Sequence, residues 1–187
     1  RSSPSSFSFI WRRKSWKNGR VNKKIFRKYL EIKSTDNFNE VKNPSYNYSV
    51  SLINPKDFQL NKFFYKNIGK KYRWIDRLVW TDQNWIDYVS NKKLFTYILK
   101  DKEEIAGYFE LLFYKDRQET EIAYFGILEE YFGKKLGGYL LSEAIKKSFL
   151  LGSKRVWAHT CSLDHENALK NYLARGMKIF NSETLIG

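Results

Sequence analysis

Between residues 94 and 128 the chain alternates apolar, aromatic-rich blocks with short charged breaks. Residues 94–100 run into Asp101-Lys102-Glu103-Glu104, residues 105–115 into Asp116-Arg117-Gln118-Glu119, and residues 120–128 close the series. Branched and aromatic residues suit a pleated surface, and clustered charges suit tight turns, so the pattern predicts three antiparallel strands joined by hairpins. The period then changes. Leu136, Leu140, Leu141, Ala144, Ile145 and Phe149 recur at helical spacing, with Gly152 placed to end that helix. Residues 154–161 read as a further strand. Residues 164–175 read as a helix with Ala168, Leu169, Tyr172 and Leu173 on one stripe and Gly176 at its end, and residues 177–180 as a last strand. Upstream, Phe58, Phe63 or Phe64, and Ile68 give helical spacing over residues 56–68. Trp80-Thr81-Asp82 looks like a capped helix start.

Between the third hairpin strand and its helix lies a loop with glycines at 133, 137 and 138. Glycine lets backbone approach an anion closely, and the next helix opens with unpaired N–H groups at the positive end of its dipole. The segment therefore has the makings of a phosphate cradle. Neither Gly-x-x-x-x-Gly-Lys-Ser/Thr nor Gly-x-Gly-x-x-Gly is present, which excludes the common nucleotide-hydrolysing and dinucleotide loops.

The order strand, strand, strand, glycine loop, helix, strand, helix, strand resembles the GNAT acyltransferases, a mixed α/β (α+β) fold with a mainly antiparallel sheet flanked by helices. Their acyl-CoA motif, Gln/Arg-x-x-Gly-x-Gly/Ala, falls here on Phe132-Gly133-Lys134-Lys135-Leu136-Gly137-Gly138. Gly137 matches the second motif glycine, whereas Phe132 and Lys135 replace the Gln/Arg and the first glycine. A second motif, Ala-x-x-x-Tyr-x-x-x-Gly-Phe, is similar to Ala168, Tyr172, Gly176 and Met177, with His165 where an asparagine often opens the helix. The resemblance covers residues 71–180 and implies acetyl-CoA, or another acyl-CoA, as co-substrate and an amine as acceptor. It implies that Tyr172 protonates the departing thiolate and that a backbone N–H near Ile127 stabilises the oxyanion. It also implies that residues 133–138 and His165 hold the coenzyme. Lys135 is expected to need a negative φ, because a side chain disfavours the left-handed region.

Three residues compete for the role of base. Glu110 and Glu121 are carboxylates inside apolar strands, where a charge is costly unless paired, wet or working. Strict alternation puts Glu121 on a face with Ala123, Phe125 and Ile127, and Glu110 with Tyr108 and Leu112. His159 has a suitable ordinary pKa. Trp74, Asp76 and Trp80, in the stretch that covers the acceptor in the family, are candidates to meet a cationic amine.

Composition narrows the rest. The 187 residues suffice for one core, and the single cysteine, Cys161, rules out an internal disulfide. Two histidines and no Cys-x-x-Cys give no credible metal site, and no apolar run approaches a membrane span. The net charge is +14, of which ten Arg/Lys and no Asp/Glu lie within residues 1–30. Residues 1–34 therefore read as a basic extension, 35–55 as an Asn/Ser/Tyr-rich linker, and 56–187 as the acyltransferase-like domain. The basic, serine-rich start, with Phe7, Trp11 and Trp16 among its cations, suits either an RNA-following arm or an organellar targeting remnant. That places the protein in the cytoplasm or an organellar matrix, mitochondrial by this signal. It also leaves a second reading open: a non-catalytic subunit fastened by this arm to RNA or to a ribonucleoprotein such as an organellar ribosome.

Overall fold

The computed structural model describes residues 24–186. The expected arm, and its RNA contact, falls mainly on residues 1–23 and lies outside the described residues. The elements in chain order are β1 (Lys24–Ile32), β2 (Tyr48–Leu52), α1 (Phe58–Gly69), α2 (Asp82–Val89), β3 (Leu94–Asp101), β4 (Glu104–Tyr114), β5 (Glu119–Ile127), α3 (Leu136–Leu150), β6 (Arg155–Cys161), α4 (Ala168–Ala174) and β7 (Lys178–Ile186). The fold is mixed α/β: one seven-stranded, mostly antiparallel sheet in the order β2-β3-β4-β5-β6-β1-β7, flanked by four helices.

The hairpins form where the charged breaks predict them, and α2 begins at the expected cap. Asp57 caps α1 by accepting from Gln59 N, and Thr81 opens α2 with a full capping box to Asn84. Gly152 follows α3 with φ 104°, a left-handed conformation that suits a residue without Cβ. The main core lies between α3 and the sheet, where Leu140, Leu141, Ala144 and Ile145 pack against Leu30, Leu111, Val156 and Ala158. A second cluster, Phe64, Ile68, Ile98 and Tyr108, seats α1 on the opposite face.

Two segments depart from the sequence reading. Lys24–Ile32, expected within the basic extension, is a full strand between β6 and β7, and Tyr48–Leu52, expected within the linker, pairs with β3. In β1 Ile25, Arg27, Leu30 and Ile32 are buried while Lys24, Phe26 and Lys28 are not, so two of its three basic residues stay accessible within an ordinary strand. The last strand also runs further than expected, to Ile186, and the final helix is shorter, beginning at Ala168. Asp164, expected within that helix, instead accepts from Thr160 Oγ1 at 2.7 Å and from the Cys161 N–H at 2.9 Å.

Candidate active site

Strands β5 and β6 run parallel, but they pair only at Glu119 with Arg155, Thr120 with Val156, and Glu121 with Trp157. Beyond that point they separate. The gap opens into a cavity of about 580 Å³ bounded by the glycine loop, α4 and the polypeptide after α1. A bulge shapes its wall. Glu110 pairs with Tyr124 and Leu111 with Ile122, so Ala123 is an extra residue in β5. The bulge overturns the alternation expected from sequence: Glu121 shares its face with Tyr124 and Gly126, not with Ala123, Phe125 and Ile127. At the far end Leu128 N donates to Ala106 O, which turns the neighbouring Ile127 N–H away from β4 and toward the gap.

Glu121 lines this cavity and is 2% exposed, and its Oε2 has no hydrogen-bond partner among the described residues. Burial pushes its pKa up to about 7, with Arg117 and Arg77 pulling weakly the other way. A carboxylate so placed can take a proton near neutral pH. His159 lines the cavity from β6, where burial and the nearby Arg27 charge push its pKa down to about 4. It is therefore a neutral imidazole at physiological pH. Tyr172, in α4, also faces the cavity, and burial holds its hydroxyl firmly protonated.

The loop end is built to receive an anion. Leu136 to Leu150 forms α3 with no side-chain cap at Lys135, so its first N–H groups are left to other acceptors. Gly133, Lys135, Leu136, Gly137 and Gly138 all line the cavity, and a Cβ on Gly133 would meet nothing within 4 Å. Asn171 Nδ2 donates to Gly137 O at 3.0 Å, tying α4 to this turn. These features fit a coenzyme diphosphate held by Gly133, Lys135 and the start of α3. The expectation of a negative φ at Lys135 is corrected: φ is 60° and ψ 25°. The lysine takes the left-handed shape of the motif glycine, at a cost of about 1 kcal/mol or slightly more, because Cβ crowds a carbonyl there without a forbidden overlap. His165 lines the cavity and packs edge-on to Phe132, ring centres 5.6 Å apart.

Trp74 and Asp76 also line the cavity. Three other candidates lie elsewhere. Glu110 is fully buried outside the cavity, accepting from Asn61 Nδ2 at 2.8 Å and Tyr88 Oη at 2.6 Å, with Arg77 Nη1 3.5 Å away. It is a framework carboxylate, placed there because α1, α2 and the sheet converge on it. Trp80 packs 4.7 Å from the Arg77 guanidinium as one ring of the aromatic cage around that cation. Lys134 projects over Tyr131 at 5.1 Å, off the cavity wall. The structure adds residues that sequence reasoning passed over: Arg27 from β1, Tyr124 beside the bulge, Asp164 and Asn171. Only the helix-adjacent Asn171 had a signal, as the neighbour of the motif tyrosine. Among the described residues no group of side chains has the makings of a metal site, and no helix is long and apolar enough to cross a membrane.

Comparison with known proteins agrees with this architecture. The GCN5-related N-acetyltransferase from Sphaerobacter thermophilus superposes with a TM-score of 0.65 at 14% identity, over 87% of this chain and 50% of that one. The ribosomal-protein-S18-alanine N-acetyltransferase from Escherichia coli gives 0.55 at 13% identity, over 69% and 76%. An aminoglycoside acetyltransferase from an uncultured soil metagenomic sample gives 0.57 at 11%, over 76% and 90%. At such identities the likeness establishes the fold. The chain spans about half to two thirds of the length of several of these structures, 50% for the Sphaerobacter protein and 61% for a Staphylococcus epidermidis protein of unknown function. No curated protein matches. The model of the acetyltransferase (GNAT) family matches residues 58–177, from the start of α1 through α4, and the chain therefore belongs to the GNAT family of acetyltransferases.

Proposed function

We propose that this protein transfers an acetyl, or related acyl, group from acyl-CoA to an amine, with Glu121 as general base and Tyr172 as general acid. One observation carries the reading. Glu121, Tyr172 and the uncapped start of α3 face a single cavity in the gap between β5 and β6.

Each requirement of acyl transfer has a group in position. The incoming amine must be neutral to attack, and Glu121, with a pKa near neutrality, can accept its proton directly or through a water. The Ile127 N–H, turned into the gap, can donate to the thioester oxygen as it becomes negative. As the carbon–sulfur bond breaks, the Tyr172 hydroxyl can give its proton to the thiolate. Lys135, Gly133 and the first N–H groups of α3 would hold the diphosphate, and the acyl-CoA brings the activated thioester. His159 fits the base role less well, since its proton affinity has been driven below the working range. Trp74 and Asp76 border the acceptor entrance, with the Asp76 carboxylate suited to a cationic amine.

The test is calorimetry with acetyl-CoA at modest salt, followed by turnover. Binding at about micromolar Kd, near −8 kcal/mol, is expected. Tyr172→Phe should then lower kcat at least tenfold while leaving that Kd within twofold. Absence of acetyl-CoA binding would overturn the proposal, and equal losses in kcat and affinity would reassign Tyr172 to a structural role.

A further inference from the structure

The helix that carries Tyr172 is short. α4 has seven residues, no side-chain cap at Asn167, and Tyr172 as its one buried residue. A helix of that length has little stability of its own, so its place is set by what it is tied to. At its far end Asn39 does the tying, its N–H donating to Arg175 O and its Nδ2 to Ala174 O, both at 3.0 Å. Nearer the cavity the tie is Asn171.

The Asn171 amide serves two elements at once. Its Nδ2 donates to Gly137 O at 3.0 Å, and its Oδ1 accepts from Arg175 Nη1 at 3.3 Å. The second bond fixes which way the amide faces, since a guanidinium only donates and must meet the oxygen. The nitrogen is thereby aimed at α3. Gly138 leaves room for the arrangement, because a Cβ there would lie 2.4 Å from Arg175 Nη1.

Gly137 O belongs to the peptide unit whose other end is the Gly138 N–H. That N–H lies in the first turn of α3, where the helix ladder supplies no acceptor, and both glycines line the cavity. A hydrogen bond accepted by a peptide oxygen polarises the unit and makes its N–H a better donor. One end of this peptide is therefore open to an anion, and the other holds the residue next to Tyr172.

We propose that Asn171 is a positioning residue that couples coenzyme binding at the start of α3 to the seating of Tyr172, so that the acid is held more firmly once the coenzyme is in place. The inference rests on the transferase reading above and adds a control on that same site. Coupling of this kind is reciprocal: the diphosphate tightens the Asn171 tie, and the tie improves the grip on the diphosphate. Misplacing a reacting group by about 1 Å can cost roughly 100-fold in rate, so a modest loosening of α4 registers in kcat.

The experiment compares wild type with Asn171→Ala and Asn171→Asp, each with and without Tyr172→Phe. Aspartate keeps the size and the Arg175 contact but turns an acceptor toward the Gly137 oxygen, so it removes the tie with little disturbance to packing. Hydrogen exchange of residues 168–175 is followed by mass spectrometry with and without saturating CoA, whose affinity is measured by calorimetry. CoA should slow exchange of this helix by about tenfold in wild type and by less than about twofold in both variants. Turnover is read as thiol release from acetyl-CoA, to water or to simple amines. Either variant should lose about tenfold in kcat, and adding Tyr172→Phe should lower kcat no further than Tyr172→Phe alone, because both changes act at one group. The exchange measurement stands without any acceptor. Wild-type exchange that CoA leaves unchanged, an aspartate variant that behaves as wild type, or kcat losses that multiply in the double variants would each overturn the inference while leaving the transferase reading in place. Absence of CoA binding would remove both.

Discussion

Replacing Glu121 by glutamine should stabilise the protein above neutral pH while removing its activity. The carboxyl is buried, and its pKa is raised from 4.5 in the open chain to about 7 in the fold. A group with a raised carboxylate pKa binds more protons folded than unfolded between those two values, so folding stability falls as pH rises through that window. That rise corresponds to about 3 kcal/mol of destabilisation once the carboxylate is ionised. Glutamine has nearly the same shape and no titration. Urea unfolding of both proteins from pH 5 to pH 8 should show the variant gaining about 2 to 3 kcal/mol relative to wild type across that range. In parallel, wild-type kcat/KM should rise with a single ionisation near pH 7, and Glu121→Gln should lose roughly 100-fold or more together with that ionisation. A stability gap that stays constant with pH, or a variant that keeps the wild-type rate profile, would refute the assignment of Glu121 as a buried, working base.

Other outcomes follow from the same geometry. Lys135→Gly should stabilise the fold by about 1 kcal/mol by relieving the left-handed lysine, whereas Lys135→Ala should give no such gain; chemical denaturation distinguishes them. Since both remove the charge, acetyl-CoA affinity measured by calorimetry should weaken in each. Glu110→Ala should cost about 3 to 5 kcal/mol, read by thermal or urea unfolding, because it leaves the Arg77 cation buried without its carboxylate. Tyr88→Phe, which removes the hydrogen bond to Glu110, should cost about 1.5 to 3 kcal/mol in the same assay.

The half of the sheet built from hairpins was legible because Asp101–Glu104 and Asp116–Glu119 interrupt apolar blocks of strand length, and α3 because its stripe holds for four turns. The Tyr172 helix was legible from one motif. What escaped has physical causes. β1 was hidden by Lys24, Arg27 and Lys28, which suggested a tail; two of these cations stay accessible, and the buried Arg27 interrupts the apolar pattern of Ile25, Leu30 and Ile32. β2 is a largely exposed strand of Tyr, Ser, Val and Leu whose only strand partner among the described residues is β3, so little apolar content marks it. The bulge at Ala123 has no sequence signature, and it changed which face Glu121 occupies; alternation arguments fail wherever one residue is inserted. Glu110 and Glu121 looked equivalent as strand carboxylates. Only the arrival of Asn61, Tyr88 and Arg77 from distant segments separates the neutralised one from the available one.

The placement of β1 bears on how the molecule comes together. Its partners, Cys161 in β6 and Glu183 in β7, follow it by more than a hundred residues, and among the described residues β7 pairs with no other strand. During synthesis the first strand must wait, unpaired, until β6 emerges, while the β3–β4–β5 meander can close from local contacts. Long-range pairing of this kind is slow and leaves an edge open to wrong partners meanwhile. Arg27 travels with that late strand, so the nascent protein would acquire its glycine loop before the part of the cavity wall that β1 supplies.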